Sequence, residues 1–183
     1  MTIVRRTTTE TAVTVELTCG STAPKVAVST TEPFFDHMLA ALGRYAGFDL
    51  AVTATGDLPH HLTEDVALTL GRAVLEVTPA ACARYGAATV PMDDALVTAA
   101  IDLGGRGYWG GSLPDPAYDH VLRSFAHAAA ATLHVVVVRG HDGHHVTEAA
   151  MKAVGLALRQ AMAASPEGGA VFSTKGAVTW EVD

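Results

Sequence analysis

The residues Gly56-Asp-Leu-Pro-His-His-Leu-Thr-Glu64 return, at one constant offset, as Gly140-His-Asp-Gly-His-His-Val-Thr-Glu148. Gly71 falls on Gly155 and Ala73 on Ala157 at the same offset, so the match runs past the polar motif into the apolar stretch behind it. Two alanine-rich helices resemble each other by composition alone, but composition does not hold His-His-x-Thr-Glu in register. Self-similarity at a long fixed spacing marks a repeated structural unit. A chain of 183 residues has room for two such units fused around one core.

Each copy carries a similar run of elements. Residues 11–17 and 25–29 alternate apolar and polar side chains, as half-buried strands do. Residues 34–45 follow Pro33 and carry Met38, Leu39 and Leu42 at helical spacing; 48–55 alternates again. A helix is expected over 59–77, with Leu62, Val66, Leu70, Ala73 and Val77 on one stripe. The second copy offers strands at 95–103 and near Tyr108, a helix at 119–130, a strand at 133–138 and a helix at 144–162. The matching stripe is Val146, Ala150, Val154, Ala157 and Ala161. The expectation is an α+β fold, a duplicated ββαβα module with its sheets packed against helices. The first repeat covers 1–83 and the second 84–164 of one fused domain, and a turn-rich break then opens a C-terminal tail, 165–183.

Composition bounds the setting. Hydrophobic residues make up 49% of the chain and charged residues 17%, with a mean hydropathy of +0.27, which is apolar for a soluble monomer. The most apolar stretch, 125–138, is interrupted by His127 and His134 and is shorter than the ~20 residues that a membrane span needs. Arg5, Arg6 and a run of threonines stand where a secretory leader would be apolar. The net charge of −7 argues against a nucleic-acid partner. Cys19 and Cys82 alone make no disulfide framework, which fits a reducing cytoplasm. A soluble chain with so few charges is expected to bury much of its surface against other copies.

The histidines carry the chemistry. His60, His61 and Glu64 open one helix; His144, His145 and Glu148 open its twin. Positions four apart share a helix face, so His60 with Glu64, and His144 with Glu148, can grip one ion each. Adjacent residues diverge by about 100°, so His61 and His145 point to a different ion. Two motifs therefore make two sites by reciprocal exchange, within a duplicated domain or between facing subunits. His37 lies at a helix start, and His134 sits inside an apolar strand, where its ring nitrogens must be satisfied. These six histidines and two glutamates, split evenly, give each ion three imidazoles and one carboxylate. Such a set suits Mn(II), Fe(II), Co(II) or Zn(II), and the absence of sulfur ligands argues against a structural zinc. His120, His127 and His141 fit no ligand spacing and read as surface or structural residues. Among the basic residues, Arg84, Arg106, Lys152 and the turn Ser173-Thr-Lys-Gly176 are candidates for holding an anion.

Taken together these motifs resemble the imidazoleglycerol-phosphate dehydratase family along almost the whole chain. The resemblance rests on Thr9-Glu-Thr11, Pro33-Phe-Phe-Asp-His-Met-Leu39, Gly47-Phe-Asp-Leu50, the two His-His segments, Arg84-Tyr-Gly86, Pro91-Met-Asp-Asp-Ala-Leu96, Asp102-Leu-Gly-Gly-Arg106 and Ser173-Thr-Lys-Gly176. It implies a duplicated ribosomal-S5-like α+β domain, two Mn(II) ions per active site, and a shell of twenty-four subunits with sites shared between neighbours. It implies His37, His60, His61, Glu64, His134, His144, His145 and Glu148 as metal ligands. Arg84, Arg106, Lys152, Ser173 and Lys175 would meet the substrate phosphate and Glu10 the glycerol end. The implied reaction is dehydration of D-erythro-imidazole-glycerol phosphate to imidazole-acetol phosphate, through an imidazolate bound between the two ions. Glu10, Glu64 and Glu148 are the candidate acid–base groups. Family members usually have several more residues, acids among them, between Gly-Asp-Leu and the first His-His, where this chain has Pro59 alone, and Tyr45 stands where a histidine is common. The alternatives are a catalytically silent metal-binding shell of the same fold, a dehydratase of a related phosphorylated azole, and a generic metal hydrolase.

Overall fold

A computed structural model describes residues 1–165 and 172–173 of the protein. The first half of the chain runs β1 (Thr2–Thr7), β2 (Thr11–Thr18), β3 (Val26–Ser29), α1 (Pro33–Ala46), β4 (Asp49–Gly56) and α2 (Pro59–Val77). The second half repeats it as β5 (Tyr85–Met92), β6 (Ala95–Asp102), β7 (Tyr108–Gly111), α3 (Pro116–Ala128), β8 (Thr132–Arg139) and α4 (Gly143–Ala161). The sheets have the orders β1-β2-β4-β3 and β5-β6-β8-β7. In each, two antiparallel pairings are followed by one parallel pairing. The duplicated α+β architecture is thus present, with one strand per copy more than the sequence pattern indicates.

Both additional strands lie at sheet edges. β1 leaves most of its side chains exposed, Arg5 and Arg6 among them, and so shows no apolar alternation; charge on an edge strand also discourages pairing with another chain. β5 contains Gly86 and Pro91, poor strand formers that an edge position tolerates.

Alternation places Val13, Val15 and Leu17 of β2 and Leu50, Val52 and Ala54 of β4 in the core. β6 and β8 do the same with Val97, Ala99, Ile101, Leu133 and Val135. Helices α1 and α2 cover the first sheet, α3 and α4 the second, and the helices meet in pairs, α1 with α4 and α2 with α3. The layers run sheet, helices, helices, sheet around one continuous core. The paired helices approach closely. A Cβ on Gly71 would stand 2.5 Å from the Phe125 carbonyl oxygen, and one on Gly155 2.7 Å from that of Leu42.

This topology positions the site. β3–α1–β4 and β7–α3–β8 are parallel crossover units, so α1 and α3 start beyond the carboxyl ends of their strands. α2 and α4 start beyond the carboxyl ends of the parallel neighbours β4 and β8. All helix starts of one copy therefore share one sheet edge, the place where open sheets collect ligands. Among the described residues no helix is long and apolar enough to cross a membrane.

Candidate metal centre

Local sequence sets up each helix start. Pro33, Pro59 and Pro116 begin α1, α2 and α3, where a missing N–H has no intrahelical partner to lose. Asp142 caps α4, accepting from the backbone N–H of His144 at 2.8 Å and of His145 at 3.3 Å. Asp36 of α1 accepts the Thr30 N–H at 2.9 Å, and Asp119 of α3 accepts the Leu113 N–H at 3.0 Å. In both cases the carboxylate ties the incoming segment to the helix, and the next residue is a histidine, His37 or His120.

The helix pairing then builds two clusters. His37 of α1 and His144 of α4 each bring Nε2 to 3.1 Å from the same Glu148 oxygen. Lys152, one turn further on, donates to the other oxygen at 2.8 Å. The Glu148 side chain is 9% exposed and that of His37 52%, so an anchored carboxylate underlies imidazoles that reach the surface. Burial pushes the Glu148 carboxyl up, but the hydrogen bonds and charges of Lys152 and His37 outweigh it and hold the group at about 2. In the second cluster His60 Nε2 lies 3.9 Å and His120 Nε2 3.4 Å from the two oxygens of Glu64. Within each cluster one ligand atom from every member lies within 4.8 Å of the others. Two imidazoles and a carboxylate form a donor set that fits a divalent transition ion.

The second histidine of each pair turns away, as the 100° step between neighbours requires. His61 Nδ1 lies 2.9 Å from Asp57 Oδ1 and 3.5 Å from Glu10, and these three form a further cluster. His145 Nδ1 lies 2.8 Å from Asp94 Oδ1, and its Nε2 3.4 Å from Asp93. The hydrogen bond to Asp57 raises the pKa of His61, and that to Asp94 raises the pKa of His145. Asp57 is lowered in return by His61; Asp94 is lowered first by the His141 backbone N–H and then by His145. A carboxylate on Nδ1 orients the ring and leaves Nε2 for an ion. His134 and His145 belong to none of the clusters found among the described residues. The ring of His134, expected to be satisfied within an apolar strand, instead projects from the open face of the second sheet, because β8 buries only alternate residues such as Leu133 and Val135. It stands beside Tyr108, with ring centroids 5.5 Å apart.

The basic residues are less available than their spacing suggests. Arg84 donates Nε and Nη2 to the two oxygens of Asp102 at 2.7 and 3.0 Å, and this hydrogen bonding raises its pKa. The Phe172 ring packs edge-on against Tyr85 at 6.2 Å, and the Phe172 carbonyl, one residue before Ser173, accepts from Arg84 Nη1 at 3.5 Å. Arg106 is exposed between β6 and β7, and its carbonyl accepts the Thr132 hydroxyl at 3.2 Å. Lys152 is engaged by Glu148, and Lys175 lies outside the described residues. His120, set aside on spacing, is the residue that spacing missed. Its signal is Pro116-Ala-Tyr-Asp-His120 repeating Pro33-Phe-Phe-Asp-His37 one residue short of the main offset.

The class that fold and site define is a duplicated α+β chain whose helix starts gather histidine–carboxylate groups that could hold a metal ion. The family model of imidazoleglycerol-phosphate dehydratase matches residues 30–158. Relatives of that name share 47% identity in Pyrobaculum calidifontis, over 94% of this chain and 97% of the relative, and 41% in Saccharopolyspora erythraea, over 96% and 94%. Among solved structures, the Pyrococcus furiosus enzyme in complex with (S)-C348 superposes with a TM-score of 0.84 at 38% identity, covering 95% of this chain and 99% of that one. The Staphylococcus aureus enzyme gives 0.78 at 28% identity, covering 90% and 100%. The chain belongs to the imidazoleglycerol-phosphate dehydratase family, and it is a dehydratase, a lyase that eliminates water.

Proposed function

We propose that the chain converts D-erythro-imidazole-glycerol phosphate to imidazole-acetol phosphate in histidine biosynthesis, with two Mn(II) ions per active site. The observation that carries this reading is the pair of imidazole–carboxylate clusters that α1 with α4, and α2 with α3, assemble in a chain of this family. The ligands are His37, His60, His61, Glu64, His134, His144, His145 and Glu148. Bound there, Mn(II) supplies Lewis acidity toward the substrate's imidazole and favours its deprotonated, electron-releasing form.

The protein's own groups do the rest. An electron-rich ring promotes departure of the adjacent hydroxyl, which leaves as water once protonated. Loss of the neighbouring C–H proton gives an enol that tautomerises to the ketone. Glu10 and Glu64 are the groups that move those protons, a reading supported by their exposure, Glu10 beside His61 and Glu64 at 35%. Glu148, held ionised down to about pH 2, serves as a ligand and stores no proton near neutrality. Arg84, Arg106, Ser173 and Lys175 receive the phosphate, with Lys152 next to Glu148 at its border.

The chain works as a cytoplasmic homo-oligomer, a shell of twenty-four subunits in which neighbours complete each other's sites. The exposed placement of His134 on the open face of the second sheet, and the absence of His134 and His145 from every cluster among the described residues, support shared sites. The test strips the protein with chelator, restores Mn(II), and follows the ketone product. Turnover that returns with Mn(II) is the expected result. Full metal loading without product would overturn the enzyme reading and favour a metal-binding shell.

A further inference from the structure

We propose that Arg44 and Arg159 form an anion site at the far ends of α1 and α4, taking the phosphoryl group of a small phosphomonoester. The two side chains line one cavity of about 520 Å³, together with Thr22, Ala23, Pro24 and Tyr45. That volume falls in the range of roughly 300–1,000 Å³ typical of small-molecule pockets, and it exceeds what a bare phosphate fills. None of the six residues is among those that hold the metals or receive the substrate phosphate.

The charges in this cavity are uncompensated. Arg6, Arg72, Arg84, Arg123 and Lys152 each pair with a carboxylate. Arg44 and Arg159 pair with none among the described residues, and no carboxylate lines the cavity they share.

A basic residue in the last turn of a helix ordinarily serves that helix's own carbonyls. Here backbone alone closes the end of α1: the Gly47 N–H donates to the Arg44 carbonyl at 3.3 Å, and the Phe48 N–H to that of Gly43 at 2.9 Å. Arg159, in the last turn of α4, lies across the end of α1 instead. Its Nε and Nη2 stand 3.0 Å from where a Cβ on Gly47 would be. A guanidinium laid on the bare backbone of a left-handed glycine packs on one face and keeps a planar fork of donors for a phosphate. Two guanidinium charges outweigh the roughly half a negative charge that each helix end contributes, so the cavity is a positive spot on a chain of net charge −7. Thr22 and Tyr45 add hydroxyls, and Ala23 and Pro24 apolar surface, a mixture suited to the organic part of an ester.

The test is calorimetric titration of the full-length protein with inorganic phosphate and, separately, with AMP. Two binding events are expected, one lost in Arg84→Gln and the other in Arg44→Gln. Arg44 is exposed, so its substitution leaves the fold intact. Arg44→Gln is expected to weaken its event by about tenfold or more, as the loss of a charged hydrogen bond does, with kcat unchanged. Arg159→Lys keeps the charge and the stem over Gly47 but not the fork, and is expected to weaken the same event. Tighter binding of AMP than of phosphate there supports an ester ligand; phosphate binding as tightly overturns that part. A wild-type profile in both Arg44→Gln and Arg159→Lys overturns the site itself. Turnover absent from the wild type, with the Arg44 event intact, overturns the proposed reaction and leaves this site standing.

Discussion

Asp65 follows Glu64 in the chain but faces the other way, into the protein. Its carboxylate pairs with Arg6 Nε at 2.8 Å and accepts the Thr11 hydroxyl, which ties β1 and β2 to the helix that carries His60 and Glu64. The side chain is 12% exposed against 43% for Arg6, so the carboxylate depends on these partners for its solvation. Asp65→Asn keeps the size and removes the charge. It is expected to lower stability by about 1–3 kcal/mol in urea denaturation, with Co(II) stoichiometry unchanged. Lost stoichiometry without lost stability would make Asp65 part of the metal site instead. Sequence alone places Asp65 and Glu64 in one polar motif; only the fold separates a strand clamp from a member of a histidine–carboxylate cluster. His120 was hidden for a related reason. Ligand spacing along one helix finds His60 with Glu64, whereas His120 reaches them from α3, across a helix contact that no local spacing records.

At the scale of elements, the helices were legible and two strands were not. The amphipathic stripes of α2 and α4 announce themselves because one face of each helix is buried. β1 and β5 are edge strands, so polarity in one and Gly86 with Pro91 in the other mask their period. The repeated Gly71 and Gly155 gain their meaning from the helix crossing. Ala in mid-helix is favoured over Gly by roughly 0.5–1 kcal/mol, but a methyl forced against a facing backbone costs about 1–3 kcal/mol. The crossing decides, because the Phe125 and Leu42 carbonyls belong to neighbouring helices and cannot rotate away. Gly71→Ala and Gly155→Ala are each expected to lower the unfolding midpoint. Gly143→Ala, where an added Cβ meets nothing within 4 Å, is expected to leave it unchanged or slightly raised. Thermal melts of the three variants in chelator would check this; equal effects at all three would refute the crossing argument.

For the whole molecule, the low charge and high hydrophobic content call for a surface that does not face water. The open face of the second sheet supplies part of it, with Val136 57% and Val138 56% exposed in the same row as His134. If His134 is a ligand as proposed, its place among exposed valines couples two events, covering that face and completing an ion's coordination. If sites are shared as proposed, metal binding and assembly are linked, and each raises the apparent strength of the other. Chelator is then expected to shift the protein toward smaller species in light scattering at low concentration, and Mn(II) to reverse the shift. Glu148→Gln should reduce both metal occupancy and assembled mass, since it removes the carboxylate charge between His37 and His144. Circular dichroism separates this from simple unfolding, because a folded variant of low mass is the predicted species. A Glu148→Gln protein that keeps two ions per chain and full assembled mass would show that assembly and metal binding are independent, and that His134 faces its valines for some other partner.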